Sequence, residues 1–165
     1  FSNMDRGTTA INVRTFDIKS ICIDTISRTQ AKARERGVLL DFKCPDVTSH
    51  IIADQQKVSW VILELLENAV KFTDQGGQVT LGFVPEENKV RIFVRDTGIG
   101  IPKEKLDEIF LPFHQLDSSV TRKYSGTGLG LTLVREIIEA HESKIEVKSM
   151  VGKGTEFSFI LKAAM

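Results

Sequence analysis

The stretch that most constrains this chain is Gln55–Phe72, QQKVSWVILELLENAVKF, where Val58, Val61, Ile62, Leu65, Leu66, Ala69 and Val70 recur at the spacing of an amphipathic helix. One stripe of such a helix must be buried, so other elements have to cover it. Asp54 precedes the run and offers a side-chain oxygen to an orphan backbone N–H at the helix start. On the remaining face, Glu64, Asn68 and Lys71 stack a carboxylate, a carboxamide and an ammonium along one line. These groups suit a base, a metal ligand and a phosphate contact. Taken alone, they more readily describe a solvated helix face.

The neighbouring segments supply the covering layer. Residues 11–16 alternate as a short strand, and Asp17 caps a predicted helix over 18–36 carrying Ile18, Ile21, Cys22, Thr25 and Ile26 on one side, with Gly37 as its stop. The second half of that helix, RTQAKARER, is densely charged. Residues 38–43 and 50–53 read as strands around the Pro45-Asp46 turn. After Gly76-Gly77, residues 78–84 and 89–95 alternate apolar and polar side chains around Glu86-Glu87-Asn88, a hairpin pattern. A helix opened by the run 125–131 is expected to continue to about residue 141, with Leu131, Val134, Ile137 and Ile138 inward, followed by a second strand pair over 144–149 and 155–161. This order predicts an α+β fold, a two-layer sandwich with about three helices on one face of a mixed, mostly antiparallel sheet.

Two glycine-rich segments interrupt the pattern. Asp96-Thr97-Gly98-Ile99-Gly100-Ile101 follows a strand and runs into Pro102 and a short helix predicted over 103–110. An acceptor-only carboxylate at that strand end matches the donor amine of adenine, although Asp-Thr-Gly is also an ordinary turn. Residues 111–124, LPFHQLDSSVTRKY, have neither period, and a loop of that length in a compact domain is often a functional lid. Ser125-Gly126-Thr127-Gly128-Leu129-Gly130 then opens a helix, and glycines there expose backbone N–H groups at the positive end of a helix dipole, a phosphate cradle. The spacing is neither the dinucleotide fingerprint nor a P-loop.

Composition excludes several classes. Lys and Arg total 22 against 22 for Asp and Glu, so no net field draws the chain to nucleic acid or to an anionic membrane. No apolar run approaches a bilayer-spanning length. Cys22 and Cys44 lack metal-type spacing and fit small core residues in a reducing, cytoplasmic compartment; His50, His114 and His141 are scattered. Phe1 begins mid-pattern, so residues 1–10 are expected to be a linker from an upstream element and 11–165 the domain proper.

Taken together, ELLENAVKFT, DTGIGI, EIFLPF and SGTGLGL resemble, in order and spacing, the N, G1, F and G2 boxes of sensor histidine kinases, within the wider ATPase group that includes gyrase, MutL and the ninety-kilodalton heat-shock chaperone. The resemblance implies an ATP-binding catalytic domain with a mobile ATP lid. Asn68 would bind Mg²⁺, with Glu64 as a second candidate ligand, and Lys71 would reach a phosphate. Phe72 would lie against adenine, Asp96 would accept its amine, and Gly98, Gly100 and Ile101 would allow close approach, with Thr155 assisting Asp96, often through water. Phe110 and Phe113 would anchor the lid. Arg122, Lys123, Ser125, Gly126, Thr127, Gly128, Leu129 and Gly130 would meet the triphosphate.

The implied partners are a phosphoacceptor helix pair of the same protein, which makes the homodimer, and a response regulator receiver domain. The acceptor histidine is expected on that helix pair, since none of the three histidines here has the His-Glu or His-Asp helical setting. Glu64 departs from the Asn common at this place in histidine kinases and matches the water-activating base of the hydrolytic branches. Two other readings therefore stand beside the kinase: a hydrolytic ATPase using Glu64, and a nucleotide-controlled switch without phosphotransfer.

Overall fold

The structure, a computed structural model, describes residues 10–111 and 130–164. In chain order the elements are β1 (Arg14–Asp17), α1 (Ile18–Arg36), β2 (Leu39–Lys43), β3 (His50–Ala53), α2 (Gln55–Lys71), β4 (Gln78–Glu86), β5 (Lys89–Asp96), a single 3₁₀ turn (Lys103–Lys105), α3 (Gly130–Ala140), β6 (Glu146–Met150) and β7 (Gly154–Ala163). The strands form one sheet in the order β1-β3-β7-β5-β4-β2, with β6 also paired to β7. All described pairings are antiparallel except β2 with β4. This is the mixed α+β sandwich expected from the element order.

Alternation along the central strands decides which face meets the helices. Val79, Leu81 and Phe83 of β4, Val90, Ile92 and Val94 of β5, and Phe157, Phe159 and Leu161 of β7 are all buried in one cluster. Ile18, Ile21 and Cys22 of α1, the seven apolar residues of α2, and Val134, Ile137 and Ile138 of α3 complete it. The opposite face of the sheet carries charge: Glu156 of β7 pairs with both Arg91 and Arg95 of β5, at 2.7 and 2.8 Å.

Helix α2 is fixed at both ends by hydrogen bonds that its own ladder lacks. Asp54 accepts from the Lys57 N–H at 3.1 Å as an N-cap, and its other oxygen accepts the Asn12 N–H at 2.8 Å. The Asp54 N–H in turn donates to Nε2 of His141, whose Nδ1 faces the Ile137 carbonyl at 2.8 Å. That arrangement selects the Nδ1–H tautomer and ties the end of α3 to the start of α2.

Three features differ from the sequence reading. The first strand begins at Arg14, not residue 11, because the Asn12 N–H goes to Asp54 instead of a strand partner. Helix α2 ends at Lys71, with Phe72 as its C-cap. Residues 103–110 hold only the 3₁₀ turn and further hydrogen-bonded turns, a segment too short to sustain an α-helix by itself, anchored by buried Ile109 and Phe110. The strands expected on either side of Pro45-Asp46 are both present, and they take separate places in the sheet: β2 pairs with β4, whereas β3 sits between β1 and β7. The residues expected to form the lid and most of the phosphate cradle, Phe113, His114, Arg122, Lys123, Ser125, Gly126, Thr127, Gly128 and Leu129, lie outside the described residues, as does most of the expected linker.

Candidate functional site

The site is assembled where β5 ends, against the C-terminal end of α2. Asp96 is the last residue of β5 and 7% exposed. Its Oδ1 accepts both the Gly98 N–H at 2.8 Å and the Thr155 N–H at 3.2 Å. Oδ2 receives no hydrogen bond among the described residues. One carboxylate oxygen is thus spent on holding the loop, and the other is available to a donor from a ligand. Burial pushes the Asp96 carboxyl up to about 6, against the downward pull of the two N–H groups.

The loop after Asp96 rests on α2. The Ile99 N–H donates to the Phe72 carbonyl at 3.2 Å, and a Cβ on Gly98 would collide with that same carbonyl. Gly100, at φ 76°, lies so close to the Met150 carbonyl that it too has no room for a side chain. The turn between β6 and β7 closes the loop from the other side, with the Gly152 N–H on the Ile99 carbonyl at 2.9 Å.

Ser149, which no sequence signal singled out, joins these parts. Its Oγ accepts the Ile101 N–H at 2.7 Å and lies 2.7 Å from the Thr155 hydroxyl and 3.0 Å from the Gly154 carbonyl. Thr155 meets Asp96 through its backbone N–H, while its hydroxyl is turned to Ser149. The register pair Ser149↔Thr155 between β6 and β7 creates this contact, and a sequence shows it only once that pairing is known.

Along α2, Asn68 is half-buried and its carboxamide has no hydrogen-bond partner among the described residues. Glu64, one turn earlier, is held above the ordinary carboxylate pKa by burial and by the neighbouring Glu67, against the opposing pull of Lys71 and Lys32. The carboxylate of Glu64 also fills the space beside Gly130: any Cβ there would strike Oε1. The structure therefore brings Glu64 against the first described residue of α3. No group of three or more His, Cys, Asp or Glu that could cage a metal ion occurs among the described residues. The Asn68 and Glu64 oxygens do suit a hard cation completed by phosphate and water, the habit of Mg²⁺.

A hollow of about 410 Å³ opens at the other end of β5 and β7, where Lys89, Arg91, His141, Lys144 and Lys162 outnumber Glu142 and Glu146. None of the site residues expected from sequence lines it.

This architecture has known counterparts. The profile of the histidine kinase-, DNA gyrase B- and HSP90-like ATPases matches residues 53–165. The circadian input-output histidine kinase CikA of Synechococcus elongatus is 37% identical over 159 residues, covering 95% of this chain and 21% of its own. The sensor histidine kinase WalK of Bacillus subtilis is also 37% identical, over 86% of this chain and 23% of its own. Among solved structures, full-length ShkA in complex with AMPPNP superposes with a TM-score of 0.84 at 28% identity, over 95% of this chain and 33% of ShkA. The nucleotide-free catalytic domain of histidine kinase ThkA gives 0.80 at 25% identity, over 92% of this chain and 96% of that domain. The chain belongs to the histidine kinase-type ATPase family, and it spans about a fifth of the length of these two kinases from Synechococcus and Bacillus. No described helix is long and apolar enough to cross a membrane.

The Asp96 environment has a measurable signature. Its folded-state pKa, about 6, stands above the ordinary 3.8 of an aspartate, so its contribution to stability is fully present below 3.8 and is lost as pH rises through about 6. Asp96→Asn removes that titration. Urea denaturation across this range should show a flatter stability profile for the variant than for the parent, without loss of stability at neutral pH; identical slopes would contradict this environment.

Proposed function

We propose that this chain is the ATP-binding catalytic domain of a sensor histidine kinase, one that delivers the γ-phosphoryl of Mg²⁺-ATP to a histidine on a separate dimerising helix pair. The observation that carries the reading is the divided carboxylate of Asp96: Oδ1 is committed to the Gly98 and Thr155 N–H groups, and Oδ2 is left for a base amine. The loop it holds is the one whose glycines admit close approach. Family membership supports the same assignment.

In this reading Asp96 selects adenine, Phe72 and Ile101 border the base, and Thr155 keeps the carboxylate in place with the help of Ser149. Asn68 and Glu64 hold Mg²⁺, and Lys71 meets a phosphate. Arg122, Lys123 and the backbone from Ser125 to Gly130 are assigned to the triphosphate through the resemblance of their motif. A loose phosphoryl-transfer transition state asks for this kind of positioning and charge neutralisation more than for covalent help, and bound Mg²⁺ supplies much of that neutralisation. The receiver domain of a response regulator would then take the phosphoryl from the histidine, with the kinase domain working in a cytoplasmic compartment.

Glu64 favours a second reading. A carboxylate with a raised pKa one turn before the candidate metal ligand is equipped to take a proton from water as well as to hold Mg²⁺. Hydrolysis of ATP by this chain alone, abolished by Glu64→Gln with nucleotide affinity intact, would establish it; unchanged phosphate release in that variant would remove Glu64 as base.

The primary reading is tested by calorimetric titration of the chain with AMPPNP. Binding should tighten with Mg²⁺, weaken as pH falls through about 6 and Asp96 gains its proton, and weaken by at least about tenfold in Asp96→Asn. Absence of binding with and without Mg²⁺ would contradict it.

A further inference from the structure

The densely charged second half of α1 is more than a solvated face. Two of its residues, one turn apart, reach across to α2: Lys32 pairs with Glu67, and Arg36 lies over the C-terminal end of the helix. The Arg36 Nε–H donates to the Val70 carbonyl at 2.9 Å, and Nη2 donates to the Lys71 carbonyl at 3.0 Å and to the Thr73 carbonyl at 3.3 Å. The last carbonyls of a helix have no partner within it and carry its negative dipole end. A planar cationic fork from another helix satisfies both needs at once.

The rest of that terminus is equally accounted for. The Asn68 carbonyl accepts the Phe72 N–H at 3.0 Å, and the Ala69 carbonyl accepts the Thr73 hydroxyl at 2.7 Å. The Phe72 carbonyl lies between two of the groups Arg36 holds, and it is the one that receives the Ile99 N–H. From there the path is short: Ile99 adjoins Gly98, whose N–H donates to Asp96 Oδ1. An unbroken series of hydrogen bonds and peptide links thus runs from the Arg36 guanidinium to the carboxylate at the heart of the site.

We infer that Arg36 is a positioning residue of the nucleotide site, fixing the end of α2 so that the Phe72 carbonyl seats the 96–101 loop and aims Asp96 at the base. This inference rests on the adenine reading of Asp96. Because Arg36 acts through Asp96, its loss should be felt as reduced discrimination at the base, beyond any loss of stability. A residue that only stiffened the fold would leave base selectivity unchanged.

The test compares ADP with inosine diphosphate, which carries a carbonyl oxygen where adenine has its amine. The parent chain should prefer ADP by about tenfold or more, since a site built to accept a donor rejects the analogue that lacks it. Arg36→Met should shrink that preference to within about threefold, with Arg36→Lys, which keeps the charge but not the fork, falling between them. In amide spectra of the variants without nucleotide, Ile99 and Gly98 should shift. Should Arg36→Met fail to fold, Arg36→Lys carries the comparison. An undiminished ADP preference in the folded variants, whatever their melting temperature, would overturn the role of Arg36. A parent chain with no preference for ADP would instead overturn the adenine reading itself, and this inference with it.

Discussion

The hydrogen bond from the Ile99 N–H to the Phe72 carbonyl is the point on which the site depends, because it joins two regions that no local rule brings together. On one side stands α2, with a buried apolar stripe and a line of polar groups at Glu64, Asn68 and Lys71. On the other is the glycine-containing loop that leaves β5 at Asp96. The bond needs a carbonyl presented beyond the helix end and a loop backbone that can come close enough to meet it. The C-cap conformation of Phe72 provides the first, and the missing side chain of Gly98 the second. The polar line of α2 and the Asp96 carboxylate are then held in one frame by the backbone.

The frame is built around β7. That strand pairs with β5 along eight residues on one side, and with β6 and β3 on the other. Its first residues carry Thr155, which meets Asp96 on one side and Ser149 on the other. Burying a carboxylate in such a setting is costly, as the raised pKa of Asp96 records. A chain built only for stability would place a neutral side chain there. Retaining the charge, with one oxygen outside the loop's hydrogen bonds, is what the proposed adenine contact would require.

Much of this was legible in the sequence, for identifiable reasons. Helix α2 has an unbroken period and a local cap at Asp54, and the β4–β5 hairpin alternates around a short turn. Asp96, Gly98 and Gly100 stood out through the place of DTGIGI among four ordered motifs, since an acid and glycines at a strand end are by themselves an ordinary turn. What escaped the sequence is non-local. Nothing near Pro45-Asp46 says that β2 and β3 will take places at different parts of the sheet. Arg36 is one basic residue in a run of several, and its purpose lies in carbonyls more than thirty residues away. Ser149 gains its role only from its register with Thr155, and the packing of Glu64, itself singled out in the sequence, against Gly130 is equally non-local. The assignments for Arg122, Lys123 and the residues from Ser125 to Leu129 rest on their motif alone.

The central claim is that a nucleotide base sits at the Asp96 end of the sheet. Amide chemical-shift mapping of the isotopically labelled chain during titration with ADP tests it most directly. The account predicts that the largest changes fall on Gly98, Ile99, Gly100, Ile101 and Thr155, with Asn68 responding further when Mg²⁺ is added. Changes centred instead on the basic hollow at the far end of the same strands, around Lys89, His141, Lys144 and Lys162, would contradict it.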